Sequence, residues 1–440
     1  MKRVSRPLAA IAALALAAAL IALGPSPAAA ISPNLPASAP GIEYTAEPGD
    51  GAQRSSNGKG AAEMPTTPDD PIAPWLDDCL GSQDAKDSDG RVYNRFKWCK
   101  EFDLAVKYYK TENGKTVLKG VNQATYQAAG LGYNDSRATR TFFRIKPGTV
   151  RYTTWSNLEK LTTSKYLKLE ISAECVPGSD SPGSGCAVGR SPAKMEWDQW
   201  NNFGGWVYWD VSSAGGKGED FVAFHKWRFH FDGTSPGWPI PEERGETGPV
   251  GIRCDSGNYF KHGTRTYPHA CIYTGAEPVL TYKMSENPEV GQHIRDAQNA
   301  PDTTWPKEDH PKKIPGKWNA SVFLRGEPLH RVASRYEGGV IAKENEDVKQ
   351  MACGQKRAIN PWGPRYNATT GLPPYAPGLE CDEYPFSSTH EGAADPEWDF
   401  SVRAVSKNDN GSAGSKLVNF YTDDRILMFL DDFWVDVVDA

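Results

Sequence analysis

The strongest constraint in this sequence is the placement of its eight cysteines. They fall as four neighbouring couples: Cys79 and Cys99, Cys175 and Cys186, Cys254 and Cys271, Cys353 and Cys381. Cysteines shape a fold where they can oxidise, outside the reducing cytosol. The N-terminus supplies that setting. Lys2, Arg3 and Arg6 form a positive start, Pro7 to Leu23 is an Ala/Leu/Ile run, and Gly24 to Ala30 is a small-residue segment ending in Ala28-Ala29-Ala30. Charge, apolar stretch and cleavable site make the pattern of a secretory signal peptide over residues 1–30. An uncleaved anchor is the rival reading, and the apolar run is only marginally long enough to span a bilayer. Arg3 and Arg6 are not adjacent, which favours the general secretory route over a twin-arginine one. The mature chain is therefore expected to be secreted, extracellular, oxidised and without stable membrane association.

Sequence alone cannot choose among the pairings open to eight cysteines. Joining neighbours is the simplest solution. It keeps each bridge inside one domain and closes loops of roughly ten to thirty residues; a loop of about 15 residues gains about 3 kcal/mol in the chain-entropy model. Zinc is the rival, but no C-x-x-C and no clustered His pair is present, and structural zinc sites use such spacings.

At roughly 150 residues per domain, 440 residues suggest two or three units. With 42 Gly and 34 Pro the chain is loop-rich but globular. Residues 31–73 show no hydrophobic period and read as a flexible leader. Residues 74–285 read as a β-rich, sandwich-like domain, with strands expected over Arg140 to Ile145, Val150 to Trp155, Tyr166 to Ala173, Phe221 to Phe231 and Val279 to Met284. Residues 286–318 form a proline-broken connector that includes a short helix near Glu289 to Asn299. Residues 319–440 mix helix and strand, with a helix over Glu337 to Met351, a strand over Val402 to Val405, helical spacing at Leu417, Phe420 and Tyr421, and a final strand through Phe433, Val435 and Val437. The fold class expected is α+β overall.

Six tryptophans, Trp197, Trp200, Trp206, Trp209, Trp227 and Trp238, fall within 42 residues. They could form a stacking platform for sugars or bases. The preferred reading is a core for a β-domain short of aliphatics, because aromatics dominate cores wherever they are dense.

The densest polar constellation lies near the C-terminus: Asp382-Glu383-Tyr384-Pro385, then His390-Glu391-Gly392, then Asp409-Asn410-Gly411-Ser412-Ala413-Gly414. Asp382, Glu383 and Glu391 offer oxygen ligands or bases. Asp409 and Asn410 stand where a helix begins, where a carboxamide can cap the helix or help hold a hard cation. Singly, each of these reads as a cap or an exposed turn. His390 reads as a solvated loop histidine rather than a base.

The ordered set Asp382-Glu383-Tyr384-Pro385, Glu391-Gly392 and Asp409-Asn410-x-x-Ala413-Gly414-Ser415 resembles the secreted NucA/NucB-type deoxyribonucleases. The resemblance covers residues 375–440, extending towards 320. It implies a small C-terminal ββα-metal, HNH-like nuclease domain, with Asp382, Glu383, Glu391 and Asn410 as catalytic candidates. It further implies Asp382 as the base orienting water, Glu391 and Asn410 near a divalent ion (Mg²⁺ or Mn²⁺), and Glu383 as the alternative for either carboxylate role. Two departures stand out: Leu379-Glu380-Cys381 replaces an Asp-Arg stretch, and Gly411 stands where an Arg follows the Asp-Asn. Arg425, Arg403 or Lys416 could replace the phosphate contact so lost.

Charge opposes the reading. The net is −6, and loss of residues 1–30 removes three positive charges, leaving −9. Residues 319–440 carry 12 Lys and Arg against 19 Asp and Glu. DNA binding depends largely on phosphate neutralisation, so a cation and a local basic groove are required, drawn from Arg325, Arg331, Arg335, Lys349, Lys356, Arg357 and Arg365. The function expected is that of a secreted, monomeric, metal-dependent endonuclease acting on DNA with little sequence preference. The alternative is a non-enzymatic extracellular protein whose tryptophan-rich domain binds polysaccharide or cell-wall polymer; a glycoside hydrolase using paired carboxylates is weaker still.

Overall fold

The structure, a computed structural model, describes residues 74–234, 244–354 and 377–439, together with the strand backbone of Ile42–Thr45 and Gln53–Arg54. The signal-peptide segment, most of the leader, Trp238, Lys356, Arg357 and Arg365 lie outside the described residues. Within the leader, where no regular structure is expected, Ile42–Thr45 lies antiparallel to Asp103–Val106. An open sheet edge offers unpaired donors and acceptors to such a segment.

The β-rich half is two antiparallel sheets closed on an aromatic core. The first is built on β1 (Lys97–Glu112), β2 (Lys115–Gly132), β3 (Ala138–Ile145), β7 (Val207–Gly215) and β5 (Ser184–Val188), in that spatial order. The second runs β6 (Ala193–Glu196), β4 (Lys168–Cys175), β8 (Ala223–Thr234), β10 (Val250–Asp255) and β11 (Ala270–Tyr273), with β9 (Arg244–Glu246) also on β8. Alternation explains both. Phe102, Leu104, Val106 and Tyr108 of β1 face Trp227, Phe229 and Phe231 of β8, and all are buried. Trp98 meets Trp227 edge-on at 5.4 Å and Phe102 meets Phe231 at 5.7 Å. Such pairs contribute about 0.5–1.5 kcal/mol beyond area burial. Trp197, Trp200, Trp209 and Trp227 are buried in this core, and Trp206 is half-buried under Arg144. Four of the clustered tryptophans are thus committed to the core and a fifth, Trp206, packs partly, as the core reading expects.

The C-terminal half starts earlier than position 319. β12 (Val279–Lys283) runs parallel to β16 (Asp432–Val438), whose other edge carries β13 (Leu329–His330). Helix α1 (Pro288–Asn299) presents Val290, Ile294 and Ala297 to a core shared with Leu280, Tyr282, Leu417, Phe420, Phe433 and Val435. The segment read as a connector therefore supplies one wall of this core, because its apolar residues recur at helical spacing. Three further elements complete it: α2 (Val340–Ala352), the hairpin of β14 (Leu379–Tyr384) and β15 (Ser401–Ser406), and α3 (Lys407–Asp423).

All four bridges join sequence neighbours, Cys79–Cys99, Cys175–Cys186, Cys254–Cys271 and Cys353–Cys381. A buried ionic network ties the two halves together. Asp431 receives Arg95 at 2.7 Å and also pairs with Arg253, while Arg425 reaches Asp255 at 2.6 Å. Arg425 and Asp255 are both fully buried. No described helix is long and apolar enough to cross a membrane.

Candidate functional site

The hairpin β14–β15 is followed directly by α3, and its alternation sorts the acidic residues onto two faces. Glu380, Asp382 and Tyr384 point one way; Cys381 and Glu383 point the other. Helix α1 lies along the first face. Gln298 donates to the Tyr384 hydroxyl at 2.9 Å, Arg403 (opposite Asp382 in register) reaches Asp296 at 2.7 Å, and Glu289 accepts from the Ser406 amide at 2.7 Å.

At the middle of this face Asp382 Oδ2 lies 2.6 Å from His293 Nδ1, and His293 Nε2 lies 2.7 Å from Ser401 Oγ. His293 and Ser401 are fully buried and Asp382 is 8% exposed. A buried imidazole bonded at both nitrogens cannot turn, so it fixes the carboxylate it holds. One carboxylate oxygen is occupied; Oδ1 makes no hydrogen bond among the described residues. Ser401 is too enclosed to act as a nucleophile. His293 was not foreseen from sequence. Its signal was present, since it sits beside Ile294 on the apolar stripe of a helix, where a polar side chain requires a partner.

Asn410, in the first turns of α3, donates from Nδ2 to Glu380 Oε2 at 3.0 Å. Its Oδ1 has no hydrogen bond among the described residues. Glu380, read in the sequence only as a departure from the family pattern, is thus joined to Asn410 on the face that carries Asp382. Asp409 has a different task. Its Oδ2 accepts from the Glu289 and Val290 amides at 2.6 and 3.0 Å, and its Oδ1 from Asn287 at 2.9 Å. It therefore caps α1 rather than its own helix, satisfying donors that a helix start leaves unpaired.

Glu383 turns to the opposite face, where Lys349 of α2 stands 3.0 Å from Oε2. Burial raises its pKa above the ordinary carboxylate value, with Lys349 acting against that rise. The bridge from Cys353 at the end of α2 to Cys381 pins the same face.

Glu391 is bonded to His330. Its Oε2 accepts from the His330 amide at 2.8 Å and its Oε1 lies 2.6 Å from His330 Nδ1, while His330 Nε2 lies 2.9 Å from Asp432. The hydrogen bond to Glu391 raises the His330 pKa; burial opposes it, and the charges of Glu391 and Asp432 add to it. The loop carrying Glu391 is held by Asn345 of α2, which donates to the Ser387 and Thr389 carbonyls at 3.0 and 2.9 Å. Gly392 is required there, because a Cβ would lie 2.2 Å from the Asn345 amide nitrogen. Among the described residues no hydrogen bond or ion pair joins Glu391 to Asp382 or Asn410. His390 is exposed and 3.3 Å from Asp395.

Of the residues expected to form a basic groove, Arg325, Arg331, Arg335 and Lys349 are described, and three of these four are engaged elsewhere. Arg325 is stacked between Trp318 and Trp434 and paired with Glu277. Arg331 is buried against Tyr259, Phe260 and Tyr421. Lys349 faces Glu383 and Glu346. Arg425, one expected substitute for the lost phosphate contact, is buried on Asp255. Arg335, Arg403 and Lys416 retain partial exposure.

Two groups of side chains in the described residues have ligand atoms within 4.8 Å of one another, Asp180/Cys186/His225 and Glu174/His230/Glu246, and both lie in the β-rich half. In the C-terminal half the donor set on the Asp382 face is made of oxygens, Glu380 and Asn410, which suits a hard divalent cation.

Residues 335–428 match the family model described as deoxyribonuclease NucA/NucB. The matched segment contains Glu380, Asp382, Glu383, Glu391 and Asn410, and begins after His293 and His330. No curated protein and no solved structure matches the chain.

Proposed function

We propose that this NucA/NucB deoxyribonuclease domain makes the protein a secreted, metal-dependent endonuclease that hydrolyses DNA phosphodiester bonds with little sequence preference. The observation that supports it most is the convergence of Asp382, Glu380 and Asn410 on one face of a hairpin–helix unit inside the matched segment. In this reading the unit is of the ββα-metal type. Asp382 is the general base: His293 holds Oδ2, leaving Oδ1 to accept a proton from the attacking water. Glu380 and Asn410 would hold Mg²⁺ or Mn²⁺ through oxygen atoms, a donor set that fits either ion. A bound divalent ion would neutralise the charge developing on the phosphate. Glu383, on the far face beside Lys349, supports α2 rather than the reaction. Glu391, expected beside the ion, is committed to His330 and fixes the loop that borders the site.

Low sequence preference follows if contacts are to phosphates rather than base edges. Partly exposed Arg335, Arg403 and Lys416 are the candidates for those contacts. Four disulfides and the signal-like N-terminus support an extracellular setting. The test is cleavage of linear DNA of randomised sequence by the secreted protein with Mg²⁺ or Mn²⁺. Products without a dominant end sequence, and loss of cleavage in chelator, are expected. Cleavage that persists in chelator contradicts the metal requirement.

A further inference from the structure

The β-rich half reaches onto the nuclease half with a basic hairpin. Between Asp255 and Glu277 the chain carries Lys261, His262, Arg265 and His269 and no acidic residue, although its net charge is −6. Lys261-His262 pairs antiparallel with Arg265-Thr266, across a turn in which Gly263 has φ +57°. Lys261 and Arg265 are exposed. Lys261 forms no ion pair among the described residues. Arg265 lies over the Tyr267 ring at 5.1 Å.

The hairpin is fixed to the C-terminal end of α3. His262 Nε2 lies 2.7 Å from Asp423 Oδ1, and the buried Thr422 hydroxyl donates to the Lys261 carbonyl at 3.1 Å. Arg425 donates to the Tyr267 carbonyl behind it. Helix α3 then links the hairpin to the candidate cation site. Asn410, Gly414, Val418 and Thr422 recur every four residues and so form one ridge along the helix. Gly414 and Val418 are exposed, and nothing lies within 4 Å of where a Cβ on Gly414 would stand. Between Asp409, which is buried against the start of α1, and Asp423, which is paired with His262, the helix holds no acidic residue. At 1.5 Å per residue the ridge is about 18 Å long. That is the length of about five base pairs of duplex at 3.4 Å each.

We propose that the hairpin Lys261–Thr266 is a phosphate clamp. Lent by the β-rich half, it holds the DNA backbone about five base pairs from the bond cut at Asp382. The proposal rests on the nuclease reading and supplies what that reading lacks. DNA binding is driven largely by phosphate neutralisation, and Arg325, Arg331 and Lys349 are engaged elsewhere. The hairpin offers exposed cations, and the ridge leading to it carries no carboxylate that would repel the strand. Contacts of this kind position a duplex and carry no sequence information.

The test measures binding of a fluorescent 20-bp duplex to the full-length protein in chelator over a range of salt concentrations. It compares the wild type, the double variant Lys261→Ala/Arg265→Ala, and a control, Lys115→Ala/Lys160→Ala, which removes two exposed cations elsewhere in the β-rich half. Each lost phosphate contact lowers the salt slope by about 0.9. The double variant should therefore lose about two units of slope and bind at least about fivefold more weakly at low salt. The control should keep the wild-type slope. Circular dichroism confirms that the variants are folded. The same slope and affinity in wild type and double variant, or an equal loss in the control, would overturn the clamp. Wild-type binding to a sulfated polysaccharide but not to DNA would overturn it as well. The expected loss of slope in a protein that cuts nothing with Mg²⁺ or Mn²⁺ would support the clamp and remove the nuclease reading instead.

Discussion

His293 Nδ1 lies 2.6 Å from Asp382 Oδ2, and the two residues are 89 positions apart in sequence. The helix that carries His293 is anchored at its start by Asp409, three residues into α3. The proposed base, the histidine that holds it and the neighbouring helix are therefore set by one packed unit. Replacing His293 with Asn should leave the protein folded but lower kcat about 10–100-fold, with KM for DNA nearly unchanged. Steady-state cleavage of a fluorescent duplex gives both constants. A purely structural role would instead lower the amount of folded enzyme and leave kcat per folded molecule intact.

Asn410 and Glu380 are assigned to the cation. Asn410→Ala and Glu380→Gln should each raise the Mn²⁺ concentration needed for half-maximal cleavage, and saturating Mn²⁺ should restore much of the rate in both. Metal-dependence curves measure this. Curves that superimpose on the wild type would remove both residues from the cation site.

The Arg425–Asp255 pair is structural. Arg425→Met takes from the fully buried Asp255 carboxylate its closest arginine, leaving only Arg253 at 3.5 Å, and breaking such a pair costs up to about 3–5 kcal/mol. Urea unfolding should show that loss. DNA affinity of the folded variant at fixed salt should not change, as it would if Arg425 contacted phosphate.

His330 gives the pH dependence. Its pKa is raised in the fold, first by the Glu391 hydrogen bond. The stability it adds is complete below its unfolded value of about 6.5 and is lost as pH rises through the raised folded value. The Tm gap between wild type and His330→Gln should therefore be largest near about pH 5.5 and shrink towards about pH 8.5. A gap that widens with pH would contradict the pairing.

Much of this arrangement was legible because the relevant signals are local. Adjacent strand residues face opposite sides, which sets Asp382 and Glu383 apart on β14, and the cysteine couples needed only neighbouring sequence. The same alternation, taken two residues back from Asp382, places Glu380 beside it. The longest hairpin, β1–β2, was not among the expected strands although its turn, Asn113-Gly114, has positive φ at both residues, the strongest short-range hairpin signal. His330 with Glu391, and Arg425 with Asp255, were not readable. Each is a long-range contact made by packing, and nothing near either residue announces its partner. Arg325 and Arg331 were read as groove residues for a related reason: charge counted along the chain does not say which arginines are buried.

The central claim is that Asp382 serves as the base of a metal-dependent nuclease. Its most direct measurement is supercoiled plasmid incubated with the full-length protein in Mg²⁺ or Mn²⁺, with and without chelator, comparing wild type with Asp382→Asn. Nicking and linearisation by the wild type, abolished by chelator and by the substitution while folding is retained, is the predicted result. No nicking by the wild type with either ion, or equal nicking by Asp382→Asn, would contradict it.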